Sequence, residues 1–268
     1  MATTTATTSL QERAKALLDS LGSSGILLVE WETTLWIRLG YPLAWDGSLF
    51  LLVPDDQLPQ VRSLAADIGL FPANESTLKS AYACEQDPLA LRFLVEEQTS
   101  PEQWCLRRRL VFAPFSWAGL RPSDAVPITS ATTKVHHNSI ALQHHIVTLP
   151  PFVKTVPLSV ACAALVRIMA RSSYGSSLRI NTIESLGSVI GYALIDMSYE
   201  GDYMEIVGNE VPLSDAEKKE IEDAVGVMEG WAMREGEEWI RSDLIAIMRG
   251  EKRYNDLPGQ ETKATRLR

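Results

Sequence analysis

Between Leu10 and Gly69 the apolar positions switch repeatedly between a helical and an extended spacing. Leu10, Ala14, Leu17, Leu18 and Leu21 fall on one helical face behind Ser9, a residue suited to capping a helix start, and Gly22 suits the end. Ile26 to Val29 is a short continuous apolar run of the kind a buried strand needs, and Thr33 to Leu39 follows as a short helix punctuated by Gly40 and Pro42. Leu49 to Val53 repeats the strand pattern. Pro54-Asp55 then opens a helix in which Leu58, Val61, Leu64, Ala65 and Ile68 share a face before Gly69. The predicted order is helix, strand, helix, strand, helix, with the helices lying on a sheet.

The polar stretch 71–88 has no clear period, after which Leu89 to Val95 and Cys105 to Phe115 read as strands of the same sheet. Residues 121–133 are rich in Pro, Ser and Thr and predict a loop, and Ile146 to Leu149 predicts a strand ended by Pro150-Pro151. From Val156 the pattern turns helical, with Leu158, Cys162, Leu165 and Met169 on one stripe, then helices near 181–197, 214–228 and 230–249. Residues 251–268 mix Gly, Pro and charge without a period and predict a mobile tail. The expected fold is α/β (α+β): a sheet-bearing region over 1–155, a helical region over 156–250 packed on it, and the tail.

Hydrophobic residues make up 46% of the chain, enough for an ordinary globular core. The net charge of −9 argues against nucleic acid or an anionic lipid surface as a partner. The basic run Arg107-Arg108-Arg109 reads more readily as a solvated or ion-paired strand edge than as a phosphate site. Cys84, Cys105 and Cys162 have neither disulfide nor zinc spacing and read as buried thiols in a reducing compartment. Met1 to Thr8 lacks the pattern of a secretory signal, and the longest apolar stretch, Val156 to Ala170, is too short to span a bilayer and is broken by Ser159 and Arg167. The expected location is cytoplasmic.

Chemistry is sought first in Gly25-Ile-Leu-Leu-Val-Glu-Trp-Glu32, Leu39-Gly-Tyr-Pro42 and Trp45-Asp-Gly-Ser-Leu-Phe-Leu-Leu-Val-Pro-Asp55, followed by the helix ending at Gly69-Leu70. This layout resembles the opening of the nucleotidyltransferase fold as it occurs in fungal proteins of that superfamily, most strongly over 25–70 and more loosely over 90–160. The resemblance implies a nucleotidyltransferase-like mixed sheet flanked by helices, with a helical C-terminal half. In active members a Gly-Gly or Gly-Ser turn lets backbone amides approach the triphosphate, and two alternating carboxylates on the second strand share metal ions. Here Glu30, Trp31 and Glu32 stand where the glycine turn is expected, Asp46 matches the first acidic position, and Ser48 falls on the second. A large indole between two negative charges would block and repel phosphate, and one carboxylate does not replace a pair. Glu96 falls at a third acidic position, although a strand-end surface Glu is the plainer reading.

Other motifs add little. Asp55-Asp56 reads as a helix cap rather than a metal site. His136, His137, His144 and His145 share one window, but on a strand His136 and His144 would lie about 26 Å apart at about 3.3 Å per residue. One of them, His144, is kept as a candidate acid or base. No Gly-x-Ser-x-Gly, dinucleotide or phosphate-loop motif is present. Trp31, Trp36, Tyr41 and Trp45 crowd the position where this fold keeps its cleft; core filling is the commoner role of tryptophan, but an indole where a glycine turn belongs would convert a phosphate cleft into an apolar pocket.

The leading expectation is therefore a repurposed nucleotidyltransferase-like protein that binds an apolar small metabolite. It would act as a cofactor-independent, metal-free cyclase of the Diels-Alder type in fungal specialised metabolism. Asp46 and His144 would orient or polarise the substrate, and Trp31, Trp36, Tyr41 and Trp45 would bind it. Two alternatives stay open: an active magnesium-dependent nucleotidyltransferase in which Glu30, Glu32 or Glu96 assists Asp46, and a non-catalytic binding or scaffold protein.

Overall fold

The computed structural model describes residues 9–74, 76, 78–96, 108–133, 149–195 and 214–261. It is an α+β protein: its described residues form one six-stranded mixed sheet and eight α-helices. Two compact units divide the chain. The first draws on 1–35, 43–129 and 147–156, and the second on 36–42, 130–146 and 157–268. The division near 156 falls where the apolar pattern turns helical, whereas the short pieces 36–42 and 130–146 join the later unit.

In the first unit α1 (Leu10–Ser23) begins at a capping box, in which Ser9 Oγ accepts from the Glu12 amide at 3.2 Å and the Glu12 carboxylate accepts from the Ser9 amide at 2.8 Å. Gly22 does not end this helix. A Cβ there would lie 2.6 Å from the Phe152 ring, so Gly22 is a packing contact, and the left-handed turn falls to Gly25 with φ 68°. Strand β1 (Leu28–Trp31), helix α2 (Thr33–Arg38), strand β2 (Leu49–Val53) and helix α3 (Leu58–Asp67) follow. The Asp55-Asp56 pair does not cap α3, whose first turn has no side-chain cap; Asp55 Oδ2 instead accepts from the Ser116 amide at 3.0 Å, at the start of the short helix α4 (Phe115–Ala118).

Strands β3 (Leu91–Leu94), β4 (Arg109–Pro114), β5 (Val126–Pro127) and β6 (Val153–Thr155) complete the sheet in the order β3-β4-β2-β1-β6-β5. β1 runs antiparallel to β2 and parallel to β6, and β2 runs parallel to β4. The last strand described, β6, follows Pro150-Pro151, where the Val153 amide turns back onto the Pro150 carbonyl and Val153–Thr155 pairs with β1; of the strand expected over Ile146 to Leu149, residues 146–148 lie outside the described residues. One sheet face carries Leu28, Leu51, Val53, Leu110, Phe112 and Val153 into a core with Leu17 and Leu21 of α1 and Val61 and Ala65 of α3. Each such fully buried side chain stabilises the fold by about 1.5–3 kcal/mol. The continuous apolar run of β2 and the burial of every residue of β1 and β4 reflect burial of the central strands on both faces.

The second unit is built on α5 (Leu158–Arg171), α6 (Ser177–Leu194), α7 (Asp215–Glu229) and α8 (Glu238–Met248). α5 packs on α6 and α7 on α8. Residues 230–237 form a turn rather than the first part of a helix, with Gly236 at φ 79°. The expected mobile tail is corrected over its described part. Tyr254–Asp256 forms a 3-10 turn, Leu257 is fully buried, and the Gln260 amide donates to the Ser172 carbonyl at 2.9 Å. No helix among the described residues is long and apolar enough to cross a membrane.

Candidate functional site

The start of β2 gathers the polar groups of the first unit. Gly47, at φ 89°, turns the chain between Asp46 and Ser48, and a Cβ on it would lie 2.8 Å from the Arg108 side chain. That turn brings the Ser48 amide to Asp46 Oδ1 at 2.8 Å and the Ser48 hydroxyl to Asp46 Oδ2 at 3.0 Å. Tyr82 donates its phenol to the same Oδ2 at 3.3 Å. Trp45 donates its indole N–H to the Ser48 carbonyl at 2.7 Å and remains 43% exposed, so part of the indole is open to solvent.

Beneath this corner lies a buried ion pair. Arg109 Nη1 donates to both Glu85 oxygens at 3.0 Å, and Glu85 Oε2 also accepts from the amides of Ala81 and Tyr82 at 2.7 and 3.0 Å. The Arg109 amide donates to Ser48 Oγ at 3.3 Å, and its guanidinium lies 5.7 Å from the centre of the Tyr82 ring. The expected solvated arginine edge thus resolves into two roles. Arg108 is half-exposed, with Nε bonded to the Asp46 carbonyl at 3.0 Å and paired with Glu96 at 2.9 Å; Arg109 is an interior cation. Glu96 at the end of β3 is accordingly tied to Arg108.

Burial, then the charge and hydrogen bond of Asp46, push the Tyr82 phenol up to about 12, against the opposing pull of Arg109 and Thr33. Tyr82 is therefore a neutral donor at physiological pH. Burial first, then the carboxylates of Glu32 and Glu85, push the Cys84 thiol well above its ordinary range and favour its protonated form. Glu32 sits in the turn after β1 with φ 51°, the single left-handed non-glycine residue described, and its Oε1 accepts from the Cys84 amide at 3.1 Å.

The residues chosen from sequence divide between surface and interior. Trp45 and Asp46 are brought together through Ser48. Trp31 is 0% exposed, with its ring edge-on to Trp117 at 6.1 Å, and Trp36 is also buried. Tyr41 belongs to the second unit, where it stacks on Tyr192 at 4.9 Å. His144, like His136, His137 and His145, lies outside the described residues. Among the described residues no three His, Cys, Asp or Glu side chains are grouped as a metal ion requires. The sequence reading missed Tyr82 and Arg109. Tyr82 lies in the aperiodic 71–88 stretch, and its only local signal is Glu85 three positions on, the spacing at which a carboxylate reaches back to backbone amides. No family model, curated protein or solved structure matches the chain.

Proposed function

We propose that this chain has a nucleotidyltransferase-like layout without nucleotidyl transfer, and that it binds an apolar small metabolite at the Trp45-Asp46-Tyr82 corner. The observation that carries this reading is the set of partners of Asp46. Its oxygens accept from the Ser48 amide, the Ser48 hydroxyl and the Tyr82 phenol, next to a partly exposed indole. A two-metal clamp needs a second carboxylate on the same strand face, and Ser48 stands there as a donor to the first. The turn after β1 is filled in the same manner, since Glu32 is spent on the Cys84 amide where a phosphate would need bare backbone N–H groups.

What the corner offers instead is an apolar shelf, Trp45, beside a phenol that stays protonated and can turn its one proton from Asp46 to a substrate carbonyl. That set suits an intramolecular cyclisation, in which holding a flexible chain in its reactive conformer supplies about 7–11 kcal/mol in favourable cases. Trp31 and Trp36 then act by filling the core rather than by touching substrate.

The test is native mass spectrometry of the full chain with an extract of apolar metabolites, beside a second sample holding magnesium and a nucleotide panel. The expected result is retention of an apolar molecule that Trp45→Ala releases, with no magnesium-dependent nucleotide bound. Magnesium-dependent nucleotide retention abolished by Asp46→Asn would overturn the reading, and so would retention of nothing in either sample.

A further inference from the structure

In the second unit Arg179 of α6 is 2% exposed, yet its acceptors among the described residues are main-chain carbonyls rather than a carboxylate. Nη1 donates to Met169 at 2.9 Å and Pro258 at 2.8 Å; Nη2 donates to Leu257 at 2.6 Å and Asn255 at 3.4 Å. Its guanidinium also lies over the Tyr174 ring at 4.6 Å. Met169 lies in the last turn of α5, where unsatisfied carbonyls carry partial negative charge and suit a cation. The other three carbonyls all belong to 255–258, so one buried side chain holds one short segment of chain.

That segment has little else to hold it. Leu257 is its buried apolar anchor, and Gln260 exchanges two backbone hydrogen bonds, its amide to Ser172 and its carbonyl with the Tyr174 amide, at 2.9 and 3.0 Å. Asn255, Asp256, Pro258 and Gln260 are exposed. Gly259 passes so close that a Cβ would stand 2.7 Å from Arg179 Nη1. Upstream, Gly250 at φ 75° breaks from α8, and Lys252 pairs with Asp243 at 2.6 Å, which fixes the base of the segment on that helix. Tyr254 lies over α6 at Gly187, 3.7 Å from a Cβ built there.

We propose that residues 253–260 are a strap latched by Arg179, and that it opens as one unit beyond the Lys252 anchor, uncovering the α6 surface at Gly187 while the helices stay folded. The physical reason is an imbalance. On opening, water replaces every hydrogen bond of the strap and regains the guanidinium, so only Leu257 and the Tyr254 ring lose burial, whereas opening α5 would expose a helix apolar around most of its circumference. Segments held by so few buried groups open below the global unfolding free energy.

The test reads the full-length protein by hydrogen exchange. In the unmodified protein the Tyr174 and Gln260 amides should exchange together and faster than the α5 amides. Arg179→Met should raise strap exchange at least about tenfold, the equivalent of one lost hydrogen bond to a charged group, with the α5 and α6 amides still slower than those of the strap. Gly259→Ala, which crowds the guanidinium without removing it, should raise strap exchange as well. Tyr174 and Gln260 amides that exchange no faster than those of α5 in the unmodified protein, or strap exchange that stays at the unmodified rate in both variants, would overturn the latch.

Discussion

Each unit of this chain buries one arginine to 2% exposure, and the two are held in opposite ways. Arg109, at the start of β4, meets the Glu85 carboxylate, and both side chains lie out of reach of solvent. Arg179, on α6, meets four neutral carbonyls, three of them from a segment on the surface. The first arrangement is closed, because each charge is the other's solvation and neither can leave alone. The second is open, because water can take the place of every carbonyl. The interior pair organises the Asp46 corner, and the carbonyl cage organises a strap; burial alone does not separate these roles, but the charge of the partner does.

The sharpest way to break this contrast is to remove each cation in turn. Arg109→Met leaves Glu85 buried and unpaired, and urea denaturation should show a loss of about 3–5 kcal/mol. Adding Glu85→Gln removes the stranded charge but keeps an oxygen for the Ala81 and Tyr82 amides, so the double variant should recover most of that loss. A double variant no more stable than Arg109→Met would mean that the guanidinium acts through its packing on Tyr82 and its bond to the Lys79 carbonyl instead. Arg179→Met strands no charge and should cost less, about 1–3 kcal/mol in the same measurement. Equal losses at the two sites would remove the distinction between a closed pair and an open cage.

The same distinction explains what could be read from sequence. Elements with a strong apolar period were legible: the helix behind Ser9, the strand Leu49–Val53 and the α5 stripe all stand where the spacing put them, because burial of those residues sets both the pattern and the fold. Arg109 was not legible, since its partner lies 24 positions away in a stretch without periodicity and an arginine within an apolar strand looks like an edge. Trp31 read as a cleft wall, but the alternation of side chains along β1 decides which face it joins, and Trp117 meets it there from a helix of only four residues that the sequence does not announce. The strap was hidden for a third reason. Residues 253–260 carry no period because backbone carbonyls, which every sequence supplies, make most of their contacts. At the candidate site the sequence pointed to Asp46 and Trp45, which Ser48 links, but not to Tyr82, since a long-range phenol-carboxylate contact leaves no local mark.

The finest comparison is between two tyrosines, one in each unit, both pushed up to about 12. Burial is the first cause for each, but for Tyr82 the next is the negative charge of Asp46, and for Tyr254 it is the charge Cys162 would carry as a thiolate. A phenol whose folded value is raised holds its proton more tightly than in the unfolded chain. Its contribution to stability is fully present below pH 10.0, the ordinary tyrosine value, and is lost as pH rises through about 12. Asp46→Asn removes one cause at one site only, so the Tyr82 phenolate should form at lower pH while the Tyr254 titration stays in place. Nuclear magnetic resonance of the tyrosine ring carbons, assigned with Tyr82→Phe and Tyr254→Phe, separates the two. A Tyr82 midpoint unmoved by Asp46→Asn would mean that burial alone holds the phenol, and the corner would then lose the coupled donor and acceptor on which its proposed chemistry rests.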